Sequence, residues 1–249
     1  MTGPWPYPLW IAHRGAGRLA PENTLAAFRL GAAHGFRAFE CDVKLSRDSA
    51  AFLMHDATLD RTTSGHGPAA ALDWAELSRL DAGSWHGRTW AGEPLPTLDA
   101  VAGFCIVNGH LLNIEIKPSP GRERETGTVV AREARRLWAG ETPPLLSSFK
   151  PEALEAAKAE APELPRALLL DALRAGWLDE ARALGCVAVV TAYALMDREV
   201  IAKLHGAGLK ALCYTVNDPA EVQRLVSLGI DGLITDAVDR FSAGLPGLA

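Results

Sequence analysis

The chain has 249 residues, of which 48% are hydrophobic and 22% charged, and its formal net charge is −5. The acidic balance disfavours a nucleic-acid partner, because any charge that binds phosphate must be confined to a pocket. The four cysteines lack zinc-site spacing and are predicted to be buried hydrophobic side chains. The absence of a signal peptide or a long apolar run predicts a cytoplasmic protein without stable membrane insertion.

Short apolar runs alternate with helical patterns along most of the chain. The runs predicted as strands are residues 9–12, 38–45, 50–54, 111–116, 145–148, 167–170, 187–191, 211–216 and 232–235. Helical patterns cover residues 23–34, 125–138, 152–160, 177–184, 197–206 and 219–228. Apolar strands alternating with amphipathic helices indicate a parallel sheet covered on its faces, and roughly eight such units predict a (β/α)₈ TIM barrel. We therefore predict that residues 1–249 form a single domain.

The first apolar run ends at His13-Arg14-Gly15. A lone histidine at a strand end is more often structural than catalytic, whereas an arginine there can neutralise an oxyanion. Asn23 is a candidate N-cap for the following helix. Glu22 has two alternatives, because it can favour the helix dipole at the surface or lie in a site near the histidine.

Two pairs of charged residues alternate along predicted strands. Glu40 and Asp42 point to the same side of one strand, as do Glu115 and Lys117 on another. Carboxylates directed into a barrel need compensation, and the three acidic residues predict one hard divalent cation, Mg²⁺ or Ca²⁺, with Mn²⁺ as a third candidate. The alternative is that Glu40 and Asp42 form buried salt bridges with Lys44 or Lys117.

His55-Asp56 follows the third apolar run. Two histidines leaving barrel strands at the same rim are much less often incidental than one, so His13 and His55 are predicted as general acid and base. Asp56 either orients His55 or caps a turn.

The stretch of about residues 57–96 breaks the alternation of strands and helices. It is rich in Gly, Thr, Trp and Pro, with one helical hint at residues 74–80 before Thr97 opens a helix. Long excursions in compact domains are usually functional. We predict a small insertion after the second or third strand region, with structure of its own over the barrel mouth, rather than a poorly ordered loop.

Tyr214 lies near the end of the predicted strand of residues 211–216 and can offer its ring to a substrate, although an ordinary strand-to-loop junction would look the same. Taken together, the histidines, the carboxylates and the cations Arg14 and Lys117 describe metal-assisted phosphoester chemistry.

The motifs, in chain order, are His13-Arg14-Gly15, Pro21-Glu22-Asn23-Thr24, Glu40-x-Asp42, His55-Asp56, Glu115-x-Lys117 and Tyr214-Thr215-Val216-Asn217. This ordered set resembles the glycerophosphodiester phosphodiesterase family, in its bacterial cytosolic branch, over about residues 9–236. The resemblance implies a barrel, a divalent cation on Glu40, Asp42 and Glu115, catalytic His13 and His55, and phosphate contacts from Arg14 and Lys117. The family often has tryptophan where this chain has Tyr214, which affects the wall that binds the alcohol.

The expected activity is hydrolysis of glycerophosphodiesters, such as glycerophosphocholine, to glycerol 3-phosphate and an alcohol, by a monomer or homodimer. No serine or cysteine lies among the motifs as a nucleophile, which leaves water or the substrate's own 2-hydroxyl as the attacking group. One alternative is a lysophospholipase D-like enzyme, which the tryptophans of the excursion keep open. Another is a phosphate-binding barrel without catalysis.

Overall fold

The computed structural model describes residues 5–241, and predictions for the four residues before and the eight after this range lie outside the described residues. The strands are β1 Trp10–Ala12, β2 Ala38–Leu45, β3 Ala51–Leu53, β4 Leu111–Ile116, β5 Leu145–Ser148, β6 Arg166–Leu170, β7 Ala188–Ala192, β8 Lys210–Tyr214 and β9 Gly232–Thr235. All except β3 pair in parallel, in the order β1-β9-β8-β7-β6-β5-β4-β2, and β1 pairs with β2 to close the barrel. The predicted TIM barrel is confirmed.

Helices follow the strands along the chain, and those other than the second, short helix contribute buried side chains to the core around the barrel strands. They are α1 Leu25–Ala33, α2 Trp74–Leu77, α3 Leu98–Val107, α4 Glu123–Leu137, α5 Pro151–Glu160, α6 Trp177–Ala183, α7 Arg198–Gly206 and α8 Pro219–Ser227. Thr24, Thr97 and Asp197 cap α1, α3 and α7 by accepting a backbone N–H. Among residues 5–241, no helix combines the length and hydropathy that a membrane crossing requires.

The third predicted strand is not part of the barrel, which corrects the expectation from the sequence. β3 pairs antiparallel with β2, placing Leu53 opposite Val43 and Ala51 opposite Leu45. The pairing of β4 with β2 stops at Val43. The last two residues of β2 therefore extend past β4 and form a hairpin with β3, which runs back toward the barrel. A short apolar run carries no sign of strand direction, so the sequence could not reveal this reversal.

Strand alternation separates the core into two layers. Ala38, Leu169 and Leu212 belong to the cluster inside the barrel, together with Ile11 and Val190. All four cysteines are buried, as predicted, and belong to the larger cluster between strands and helices. Because Glu40 and Asp42 have the same parity on β2 as Ala38, they point into the barrel.

Residues 57–96 are ordered. They contain α2 and two short 3₁₀ turns, at Ala69–Ala71 and Arg88–Trp90. Buried apolar side chains from this segment and the β3 region form a separate small core that includes Phe52, Leu59 and Leu77. The segment thus has structure of its own, while the assignment of residues 1–249 to one domain stays a prediction.

Candidate active site

One cavity of about 310 Å³ gathers the predicted site residues where the barrel strands end. Its lining includes His13, Arg14, Glu40, His55, Glu115, Lys117 and Tyr214. Asp42 is the one predicted site residue that is not part of this lining, and its side chain is 1% exposed. A second cavity, of about 510 Å³, shares His55, Glu115 and Lys117 with the first. The sequence therefore identified a set of side chains that the fold brings together.

Three buried carboxylates lie close enough to share one cation. One oxygen each from Glu40, Asp42 and Glu115 lies within 4.8 Å of the others. The Oδ1 atom of Asp42 is buried and has no hydrogen-bond partner among the described residues. Burial raises the pKa of Glu40 and of Glu115, and the negative charge of Asp42 raises both further. An all-oxygen cluster with an unsatisfied buried oxygen fits a hard divalent cation.

Arg14 and Lys117 lie against this cluster. Arg14 Nε is 3.2 Å from Asp42 Oδ2, and Lys117 Nζ is 2.7 Å from Glu115 Oε1 and 3.6 Å from Asp42 Oδ1. Burial alone would raise the pKa of Asp42, but these two cations lower it to about 2. Of the salt bridges in the alternative, Asp42 therefore forms one with Lys117, whereas the ion-pair partner of Glu40 is His13, at 3.8 Å. Lys44 instead donates to the carbonyl of Lys117 at 3.1 Å.

His13 is held by a carboxylate that the sequence analysis missed. Its Nδ1 lies 2.6 Å from Asp236 Oδ1, and Asn217 Nδ2 donates to the other oxygen of Asp236 at 3.0 Å. Burial lowers the pKa of His13, but the Asp236 hydrogen bond and the charge of Glu40 outweigh it, so the pKa is raised. Asp236 directly follows the last barrel strand, a position that could have identified it.

His55 is held by its neighbour in the chain. Its Nδ1 is 2.7 Å from Asp56 Oδ1, so Asp56 orients the imidazole, one of the two alternatives left open. Burial lowers the pKa of His55, and this effect outweighs the negative charge of Asp42, which raises the pKa. The expectation that His55 leaves a barrel strand was wrong, because the β2–β3 hairpin carries it to the cavity. The environments of the two imidazoles therefore shift their pKa values in opposite directions.

Asn23 is not the N-cap of α1, since Thr24 has that role. Asn23 has a φ of 59°, and its side chain is directed at Asp42. Its Nδ2 donates to Asp42 Oδ2 at 2.9 Å, and its Oδ1 accepts the backbone N–H of Asp42 at 3.1 Å. The residue therefore fixes a carboxylate of the acidic cluster, through a contact across 19 positions of the chain.

We expect Asn23→Ala to lower the free energy of unfolding of the metal-free protein by about 2–3 kcal/mol, because a buried carboxylate loses a charge-assisted hydrogen bond. Asn23→Gly is the matched control, since it loses the same bonds but adopts the left-handed backbone without strain. Urea denaturation measures the free energy of unfolding of both variants. Unfolding of Asn23→Ala at the wild-type urea concentration would contradict this role.

Glu22 lies beside the site, against Arg14 of the cavity lining, rather than at the surface, which settles the alternative posed by the sequence. Its Oε1 accepts from Arg14 Nη1 at 2.8 Å, and both of its oxygens accept from Arg61. Burial raises the pKa of Glu22, but the hydrogen bond from Arg61 and the charge of Arg14 lower it overall. Glu22 therefore stays ionised between two guanidinium groups.

Tyr214 contributes its ring to the wall of the cavity. The hydroxyl donates to the carbonyl of Leu170 at 3.1 Å, and the ring lies edge-on to Phe149 with centroids 5.8 Å apart. The centroid of the Phe149 ring in turn lies 5.5 Å from Lys117 Nζ. Two aromatic rings thus form one side of the site, next to its ammonium group.

Comparison with known proteins gives a consistent result. The family model described as the glycerophosphoryl diester phosphodiesterase family matches residues 13–240. A putative glycerophosphodiester phosphodiesterase of Bacillus subtilis is 33% identical over 236 residues, covering 92% of this chain and 94% of the relative. A glycerophosphodiester phosphodiesterase of Caldanaerobacter subterraneus is 33% identical over 232 residues, covering 92% and 93%. The structure of an Oleispira antarctica phosphodiesterase in complex with the product sn-glycerol-3-phosphate matches with a TM-score of 0.89 and 36% identity, covering 94% of each chain.

Proposed function

The chain belongs to the glycerophosphoryl diester phosphodiesterase family and is a phosphoric diester hydrolase, and from this premise we propose that it hydrolyses glycerophosphodiesters to glycerol 3-phosphate and an alcohol by means of His13 and His55. One observation carries the proposal: two histidines, each held by an aspartate, line one cavity with an acidic cluster. The product in the Oleispira structure supports the assignment of glycerol 3-phosphate.

Glu40, Asp42 and Glu115 would hold one divalent cation, Mg²⁺, Ca²⁺ or Mn²⁺. When bound, this cation neutralises carboxylate charge and polarises a phosphodiester oxygen. Arg14 and Lys117 lie at the same cluster and line the cavity, so both can contact the phosphodiester oxygens. Their positive charges stabilise the additional negative charge of a pentacoordinate transition state.

The attacking group belongs to the substrate in this proposal. Ser147 lines the cavity, but it is fully buried and its hydroxyl donates to Asn113 Oδ1 at 2.9 Å rather than to a histidine. The glycerol 2-hydroxyl is the nearest alternative, because it adjoins the phosphorylated carbon. One histidine accepts its proton as the 2-oxygen bonds to phosphorus, and the other donates a proton to the departing alcohol. Water then opens the cyclic 1,2-phosphate while the histidines exchange roles.

A diester that lacks only the 2-hydroxyl tests this route. We expect it to bind with a similar inhibition constant and to show almost no turnover, because the attacking oxygen is missing. Alcohol release from the parent diester and the deoxy analogue, under the same metal conditions, gives the comparison. Comparable turnover of the two would eliminate the cyclic route and favour direct attack by water.

The activity itself is tested by stripping the purified protein of metal, adding back Mg²⁺, Ca²⁺ or Mn²⁺, and measuring the released alcohol, with glycerol 3-phosphate identified as the second product of the two water-soluble diesters. The panel contains glycerophosphocholine, glycerophosphoethanolamine and lysophosphatidylcholine. Faster turnover of the two water-soluble diesters supports the proposal. Preference for the acylated substrate would favour a lysophospholipase D-like enzyme, and no turnover with any metal would favour a binding protein.

A further inference from the structure

Arg61, in the excursion of residues 57–96, forms two bidentate ion pairs at once. Its Nε and Nη2 donate to the two oxygens of Asp56 at 2.6 and 3.0 Å. Its Nη1 and Nη2 donate to the two oxygens of Glu22, both at 2.8 Å. One guanidinium therefore joins a carboxylate from the loop after β1 to a carboxylate from the loop after β3.

Each of these carboxylates also holds a residue of the proposed active site. Asp56 Oδ1 contacts His55 Nδ1 at 2.7 Å, and Glu22 Oε1 accepts from Arg14 Nη1 at 2.8 Å. His55 and Arg14 both line the cavity, whereas Arg61 does not. The contacts thus run from Arg61 through one carboxylate to each of two cavity residues.

The excursion presents Arg61 on an anchored turn. Leu59, two positions before it, is fully buried in the small core of the excursion, and its backbone N–H donates to Gly67 at 2.9 Å. The backbone N–H of Thr63 donates to the carbonyl of Leu59 at 3.1 Å. The Trp85 ring lies 5.9 Å from the guanidinium carbon. Contacts on both sides therefore restrict the position of the side chain.

We propose that Arg61 is a positioning residue that sets the orientations of His55 and Arg14 together, which gives the excursion a part in the reaction. Its effect on turnover rests on the proposed function, whereas its contacts do not. The side chain is 44% exposed, so its ion pairs contribute little to stability. Lysine cannot replace it fully, because an ammonium group lacks the planar fork that engages two carboxylates bidentately.

Arg61→Gln and Arg61→Lys test the proposal, with Arg47→Gln and Arg47→Lys as matched controls. Arg47 also forms a bidentate pair with the excursion, donating to the oxygens of Asp73 at 2.8 and 2.7 Å, but among the described residues neither Arg47 nor Asp73 hydrogen-bonds a residue that lines the cavity. We expect Arg61→Gln to lower kcat by about 10- to 100-fold, with Arg61→Lys intermediate. The Arg47 variants should retain wild-type kcat. Equal kcat in Arg61→Gln and Arg47→Gln would overturn the proposal.

A double-mutant cycle shows whether Arg61 acts through Asp56. If it does, Arg61→Gln combined with Asp56→Asn lowers kcat by less than the product of the two single effects. Independent, multiplicative effects would contradict this part of the proposal.

Nitrogen-15 spectra of the imidazoles provide a readout that needs no turnover. The His55 signals should shift in Arg61→Gln and stay unchanged in Arg47→Gln. Absence of hydrolysis by the wild type would count against the proposed function alone, whereas unchanged His55 signals in Arg61→Gln would overturn the positioning role.

Discussion

His13→Ala and His55→Ala are each expected to lower kcat by about 10²- to 10⁴-fold, the usual effect of losing one proton-transfer group. Each imidazole is oriented through Nδ1 by an aspartate, at 2.6 Å for His13 and 2.7 Å for His55. The Nε2 atom of each remains to exchange a proton with substrate. Neither variant removes a residue of the acidic cluster, so both should still bind the cation.

His205→Ala is the matched control for these variants. His205 also contacts an aspartate, Asp231, at 2.7 Å, but it lies on α7 and does not line the cavity. Circular dichroism and thermal melts should show all three variants folded, and steady-state kinetics should show normal turnover only for His205→Ala. Near-normal turnover of His13→Ala or His55→Ala would contradict the role of that histidine.

Removal of divalent cations is expected to abolish turnover and to lower the melting temperature. The two basic side chains at the cluster, Arg14 and Lys117, donate no hydrogen bond to the buried Oδ1 atom of Asp42. A bound divalent cation would satisfy it and stabilise the folded state. At a concentration of 100 times Kd, a cation that binds only the folded state adds about 2.7 kcal/mol.

Asp42→Asn and Glu115→Gln should weaken cation binding in isothermal titration calorimetry and reduce the rise in melting temperature that the cation causes. Asp99→Asn, an exposed carboxylate on α3 that pairs with Arg136, is the control and should behave as the wild type. A melting temperature that does not respond to the cation, together with activity that survives a chelator, would refute the metal site.

The sequence was sufficient to predict the barrel and the inward direction of Glu40 and Asp42. Alternation of strands with helices predicted the architecture, and the parity of Glu40 and Asp42 predicted that both point inward. Both signals are local and periodic. They depend on neighbours within a few positions of the chain, which is the range over which a sequence pattern determines structure.

The remaining contacts join distant segments, and no local pattern predicts which residues meet. Asn23 contacts Asp42 across 19 positions, and Asp236 contacts His13 across 223. Arg61 reaches Glu22 across 39 positions from within the excursion. Asn23 was assigned as a helix cap because asparagine favours that role, but in the fold the hydrogen bonds to a buried carboxylate determine its conformation.

The central claim is that this chain cleaves a glycerophosphodiester at the phosphorus–oxygen bond to the alcohol. Phosphorus-31 and proton NMR of glycerophosphoethanolamine, incubated with protein and divalent cation in ¹⁸O-labelled water, tests it most directly. The account predicts glycerol 3-phosphate and ethanolamine in equal amounts, with ¹⁸O in the phosphate. Formation of phosphoethanolamine and glycerol, or an unchanged diester under every metal condition, would contradict it.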